Sequence, residues 1–404
     1  MAQVFFGRRY SYGSKLFLYS VVCVVVMGVA LNRKTSSMPI YMDRHDVSDQ
    51  VTAEIVAELH QQDLQIQDQF DCKGLTYWFD EKRKTAFCLI EAPNADAIQQ
   101  MHDHAHGEVP HQIIEVDTHV VESFLGRITD PEKSQNTDLN IIRDPAFRAI
   151  LVTGFDDGPL LDAPNIQNSD FSSCMKSFSS VFGRFGGQLV KQSGNRFLVS
   201  FQSVSEAVRC AIELHTVDKE RHESMRCDTN KLKTGISSGV PVTEGKQFFE
   251  EAIQTAERMF HISDGKIVMS LEIKKLYKSD NLNVFLDDEV VEILNPSDEK
   301  FLNRLMSYIT ETWQNTELHV DDFGAHLGYS RSQLYRKMVS LTGMSPNSFI
   351  KEYRLAKALS LINQQSGNIS EIAYETGFNS PSYFAKCFHK KYGLSPSEYM
   401  NQVE

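Results

Sequence analysis

No two cysteines of this chain stand in C-x-x-C spacing. The seven present (Cys23, Cys72, Cys88, Cys174, Cys210, Cys227, Cys387) are scattered and odd in number. That fits reduced thiols in a cytosol better than a disulfide framework. An overall basic surplus is also missing: 41 Lys and Arg stand against 53 Asp and Glu, a net charge of −12. Such a balance argues against a nucleic-acid partner for the chain as a whole. Long apolar runs are nearly absent too, with one exception at residues 16–31, "LFLYSVVCVVVMGVAL". As a helix this stretch rises about 24 Å, short of the roughly 30 Å hydrocarbon core. Three readings of residues 1–37 stand open. They are an extension upstream of a start at Met38, a transmembrane segment, or a secretory signal, for which Arg8, Arg9, Lys15 and the small residues Gly28-Val29-Ala30 speak. A start at Met38 goes with a cytoplasmic protein, and that is the expectation adopted.

What is present is unevenly distributed. At 404 residues the chain has room for two to four domains. From Lys300 onward eleven basic residues meet nine acidic ones, whereas the remainder carries thirty against forty-four. A mildly basic C-terminal module on an acidic body is the pattern of a DNA-facing end joined to something else. Hydrophobic periodicity divides the chain into a multidomain α+β protein. Residues 38–117 read strand, helix, two strands, helix, strand, which is a ferredoxin-like βαββαβ domain. Residues 118–146 read as a linker and residues 147–286 as a second α/β domain. The acidic stretch 287–299, within "LDDEVVEILNPSDEK", reads as another linker, and residues 300–404 as all-helical.

The helical region contains one pattern twice. Aligning Gly343 with Gly393 matches Ser330 with Ser380, Ser332 with Ser382, Leu334 with Phe384, Arg336 with Lys386, Met338 with Phe388 and Ser345-Pro346 with Ser395-Pro396. Each copy is a Ser-capped helix with apolar residues four apart, closed by glycine and followed by a Ser-Pro helix start. A short helix and tight turn precede each: "VDDFGAHLGYS" and "ISEIAYETGFNS". Helix, glycine-bearing turn and second helix with outward cations make a helix-turn-helix, here present as two heads joined by "SPNSFIKEYRLAKALSLI".

This region resembles the AraC/XylS family of transcriptional regulators, most closely in "ISEIAYETGFNSPSYFAKCFHKKYGLSPSEY". The resemblance implies seven helices, the third and sixth entering adjacent major grooves of double-stranded DNA, with RNA polymerase a possible further contact. Carried over by position, the residues facing base edges are Arg331, Ser332, Tyr335 and Arg336 in the first head, and Pro381, Ser382, Tyr383 and Lys386 in the second. Lys337, Lys390 and Lys391 are expected at phosphates. Phe323-Gly324 departs from the family's usual Leu-Ala. A helical glycine costs about 1 kcal/mol against alanine, so the first head is expected to be the softer one.

The middle segments "FGRFGGQLVKQSGNRFLVSFQSVSEAVRCAIELH" and "LKTGISSGVPVTEGKQFFEEAIQTAERMFHISDGKIVMS" resemble a class III adenylate/guanylate cyclase domain. The resemblance implies two aspartates holding a pair of divalent ions. Thr153 and Gly154 occupy the first position, with Asp156 and Asp157 two or three places on, and Asn195 occupies the second. An amide does not replace a carboxylate on a hard cation. The helix that supplies Asn and Arg to the transition state has Gln254 and Arg258. The expectation is a cyclase-like fold without catalysis, serving as a homodimer scaffold or binding a ligand near Arg258. A working nucleotide cyclase fused to a DNA-binding domain, or a membrane-anchored receptor, are the alternatives.

In the first domain "HDHAH" at 102–106 places His102 and His106 on one helix face, a spacing that binds one ion through two imidazoles. A polar helix end interacting with the helix dipole explains the same spacing. With "MPIYMDRHDV", "LTYWFDEKRKTAFCLIEAP" and "AHGEVPHQIIEVD", the domain is similar to a family of small nickel-binding proteins of ferredoxin-like fold. That implies a divalent transition metal, nickel or zinc, on His45, His102 and His106, with Asp43 and Cys88 as weaker ligands. Asp43 as an outer partner and Cys88 as a buried hydrophobe remain open.

Overall fold

The computed structural model describes residues 38–132, 139–155, 168–225, 231–282 and 284–403. The apolar run at 16–31, Asp156, Asp157, Cys23 and Cys227 lie outside the described residues. Among those described, no helix is long and apolar enough to cross a membrane.

The first sheet is built from β1 (Ile40–Asp46), β2 (Lys73–Asp80), β3 (Thr85–Glu91) and β4 (Gln112–Glu115) in the order β2-β3-β1-β4, every pair antiparallel. Two helices connect them, α1 (Ala53–Ile66) and α2 (Ala95–Ala105). Thr52 and Asn94 cap these helices by accepting from Ile55 N and Ala97 N, satisfying amides that the first turn leaves without partners. Val56 and Ala57 of α1 and Ile98 and Met101 of α2 pack on Tyr77, Phe79 and Ile90, on one face of the sheet. The other face is also covered. Met42, Trp78, Phe87, Leu89 and Ile114 share a core with Val121 and Phe124 of α3 (Thr118–Leu125) and with Ile150, Val152 and Leu198 of the next domain. Burial on both faces explains why β3 reads as the nearly unbroken apolar run "TAFCLIE" rather than an alternation.

The second sheet has six strands: β5 (Arg148–Gly154), β6 (Gln188–Ser193), β7 (Arg196–Phe201), β8 (Lys233–Gly239), β9 (Ile267–Ser270) and β10 (Val291–Leu294). Their order is β10-β9-β8-β5-β7-β6. Its β8-β5-β7-β6 part repeats the topology of the first sheet, with β9 and β10 added in parallel. The helices are α4 (Asn168–Arg184), α5 (Val204–Met225), α6 (Glu250–Ile262) and α7 (Leu271–Asp280). β10 corrects the reading of 287–299 as a linker. Val291 and Leu294 are buried within a short apolar run that flanking acidic residues disguise as a joint.

Seven helices follow: α8 (Pro296–Thr312), α9 (Val320–Leu327), α10 (Arg331–Thr342), α11 (Pro346–Asn363), α12 (Ile369–Glu375), α13 (Pro381–Tyr392) and α14 (Pro396–Val403). They divide into two cores. One joins α8, α9, α10 and the start of α11, through Phe349 and Ile350, to Met259, Ile262, Val268 and Leu294 of the second domain. The other holds Leu355, Ala358 and Leu359 of α11 with Ile372, Phe384, Phe388 and Tyr392.

Candidate nucleic-acid interface and metal centre

Each head begins with a tight turn. In the first, Gly328 takes φ 77° and its amide and that of Tyr329 both donate to Gly324 O at 2.9 Å. In the second, Gly377 takes φ 79° and Phe378 N donates to Ala373 O at 3.0 Å. A left-handed residue at each turn is what glycine supplies without a Cβ penalty. The next helix then starts on a serine. Ser330 and Gln333 form a reciprocal capping box, and Ser380 accepts from Tyr383 N.

Leu334, Met338 and Leu341 face the first core, and Phe384, Phe388 and Tyr392 the second. The opposite faces are open. Arg331, Ser332, Tyr335 and Arg336 are exposed on α10, and Ser382, Tyr383, Lys386 and Lys390 on α13, while Pro381 is half-buried at the helix start. The two tyrosines are 53% and 55% exposed, but they stand at different positions of the repeat, Tyr335 aligning with Ala385 and Tyr383 with Gln333. Lys337 is engaged elsewhere: it pairs with Asp298 on α8 and lies 5.8 Å from the centre of the Phe301 ring. Lys391 pairs with Glu352 at 2.7 Å. No feature of the sequence pattern pointed to Asp298. The joining helix α11 has eighteen residues, so it is about 27 Å long.

In the first domain β1, β3, α1 and α2 bring the histidine cluster together. His102 is buried between two carboxylates, with Nε2 2.9 Å from Asp43 Oδ2 and Nδ1 3.0 Å from Asp63 Oδ1. Burial disfavours its charge, but the hydrogen bonds to Asp43 and Asp63 prevail and hold its pKa at about 10. Burial would likewise raise Asp43, yet His45 and His102 outweigh it and keep the carboxyl ionised far below the usual range. His106 Nε2 lies 3.1 Å from Asp63 Oδ1. His45 Nε2 is buried and has no hydrogen-bond partner, its nearest acceptor being Asp43 Oδ1 at 3.5 Å. Cys88 is fully buried, its backbone N donates to Asp43 Oδ1, and burial pushes its thiol well up.

The five expected residues, with Asp63 as a sixth, thus form two adjoining groups, Asp43–His45–Cys88 and Asp63–His102–His106, with candidate donor atoms of each within 4.8 Å of one another. Nitrogen, oxygen and sulfur donors with an orphaned buried imidazole suit a transition metal. Asp63 escaped the sequence reading. Its one signal is an acidic residue on the buried face of α1, which it shares with Ala53, Val56, Ala57 and His60.

Comparison with known proteins assigns both ends. Residues 323–402 match the family described as a helix-turn-helix domain, and residues 41–116 the family described as nickel responsive protein SCO4226-like. Histidine kinase P4 of Formosa agariphila is 40% identical over 105 residues, which is 26% of this chain and 8% of that protein. The HTH-type transcriptional regulator MtrA of Neisseria gonorrhoeae is 30% identical over 116 residues, 29% of this chain and 38% of that one. This chain therefore spans well under half the length of either relative. The crystal structure of SCO4226 from Streptomyces coelicolor is 31% identical, covering 19% of this chain and 94% of that one with a TM-score of 0.18. The chain carries a helix-turn-helix domain of AraC type in its C-terminal region and, toward its N-terminus, a domain similar to the nickel-responsive protein SCO4226.

Proposed function

We propose that this protein is a sequence-specific transcriptional regulator of AraC/XylS type that binds double-stranded DNA through both heads and takes a divalent transition metal, nickel or zinc, in its first domain. The observation that carries the DNA reading is the pair of capped helices α10 and α13. Each presents arginine or lysine, serine and tyrosine on one exposed face above a buried apolar one. Arg336 and Lys386 occupy corresponding exposed positions from which a cation reaches a guanine edge, a contact worth roughly 1–3 kcal/mol of discrimination. Lys390 reaches phosphate and sets register.

The middle domain is read as a cyclase-like scaffold without catalysis. Gly154 supports this, because a Cβ there would lie 2.1 Å from Asn195 O, so no aspartate fits without moving the backbone. Thr153 is committed to Thr234, their hydroxyls 2.8 Å apart.

Selection from a randomised duplex pool with the full chain tests the proposal. A defined site is expected to emerge. Arg336→Ala and Lys386→Ala are then expected each to lower affinity for it by about 1–3 kcal/mol and relax preference at one base pair. Lys390→Ala should weaken binding to every sequence alike and reduce the salt slope by about one. An unenriched pool at low salt would refute the reading.

A further inference from the structure

A cavity of about 460 Å³ opens where all three parts of the chain meet. Arg83 of the first domain, Ser238 and Arg258 of the second, and Glu299 and Asn303 of α8 line it. Its size falls in the range of small-molecule sites. Its charges are unusual for a packed junction. The Arg258 guanidinium donates to Asn303 Oδ1 at 2.7 Å, Gln254 Oε1 at 3.1 Å and Ser307 Oγ at 3.3 Å, all neutral acceptors. No carboxylate among the described residues pairs with it, although Glu257 acts on it from a distance. The lining also holds Glu251, Glu272 and Glu299, and no described cation pairs with any of them. Burial and the nearby Glu272 both raise the pKa of Glu299. Ser238 Oγ is buried without a hydrogen-bond partner. Arg83, by contrast, is neutralised by Asp80 at 2.9 Å and stacked on Phe147.

A charge held partly out of water without a counter-charge gains when a partner of opposite sign arrives. Here the half-buried Arg258 stands without a carboxylate partner, and the half-buried Glu299 and the exposed Glu251 and Glu272 stand in the same lining without a described cation partner. A simple anion would satisfy one end and be repelled by the other, and a simple amine the reverse.

We propose that this cavity binds a small zwitterion, an amino acid or short peptide, with its carboxylate at Arg258 and its ammonium at Glu272 and Glu299. Because α6 and α8 both contribute, the ligand would clasp the second domain to the first helix of the DNA-binding region. The binding step itself does not rest on the DNA reading.

The test is calorimetric titration and thermal melting of the full chain, without DNA, against the standard L-amino acids and against aliphatic carboxylates and amines as single-charge probes. At least one amino acid should raise Tm in a concentration-dependent way, and the single-charge probes should not. Arg258→Gln and Glu299→Gln should each weaken that ligand roughly ten- to hundredfold, the loss expected for a charged hydrogen bond. Arg258 also ties α6 to α8, so Glu299→Gln serves where the arginine variant fails to fold. The proposal is overturned if no amino acid binds, if a single-charge probe binds as well, or if a folded variant keeps parental affinity.

Discussion

Both ring nitrogens of His102 face carboxylates, whereas His45 Nε2, buried nearby at a ring-centre separation of 5.0 Å, makes no hydrogen bond and lies 3.5 Å from Asp43 Oδ1. The two histidines are therefore unequal as ligands. His102 shows the arrangement in which a carboxylate, here Asp63, orients an imidazole through one nitrogen and leaves the other directed at the site. We propose that His45, Asp43, Cys88 and His102 Nε2 hold the metal, and that Asp63 and His106 support from outside. On this assignment His45→Ala abolishes measurable nickel binding in equilibrium dialysis, whereas Asp63→Asn weakens it about 10–100-fold, as outer partners do. Parental affinity in the His45 variant would sink the assignment. Spacing alone made His102 and His106 equivalent, since residues four apart on a helix share a face. What separates them is where β1 and α1 place Asp43 and Asp63. That is a tertiary fact with no local trace beyond an acidic residue turned inward.

At the scale of elements one difference between the two heads bears on how their turns close. Gly324 and Ala373 occupy the same place, each accepting through its carbonyl from the residue five positions on. Ala373 is fully buried and its methyl is accommodated. A Cβ on Gly324 would lie 2.7 Å from Tyr329 O, a backbone atom that cannot step aside. The departure from Leu-Ala is thus a requirement of the first turn. Propensity alone predicts that Gly324→Ala gains about 1 kcal/mol. The close contact reverses the sign, and the substitution is expected to lower Tm in a thermal melt. A rise would show that the turn relaxes freely. Most of the helical region was legible because caps and glycine stops are local signals, as at Ser330 and Ser380. β10 was not. Its register is imposed by β9, and "VVEIL" between acidic residues carries too little pattern to announce a strand.

The whole molecule is less divisible than its composition implies. Segments that read as separate bodies share cores. The outer face of the first sheet packs into the second domain, and Met259, Ile262, Val268 and Leu294 of that domain lie in one cluster with Phe301, Leu302 and Leu305 of α8 and with Leu334 and Met338 of α10. The cluster of the second head contains none of these residues, and the two clusters are joined by α11, which gives Phe349 and Ile350 to the first and Leu355, Ala358 and Leu359 to the second. The heads should therefore respond differently to damage outside the DNA-binding region. Leu294 is 2% exposed, and truncating a buried leucine to alanine costs about 2–5 kcal/mol. In Leu294→Ala that loss should fall on the first head. Amides of α8, α9 and α10 are expected to exchange hydrogen faster, those of α12 and α13 to keep parental protection, and duplex affinity to fall chiefly at the base pairs read by α10. Uniform loss of protection across both heads would mean that α11 transmits the damage and that they form one cooperative unit. Unchanged protection in the first would mean that α8 stands without β10.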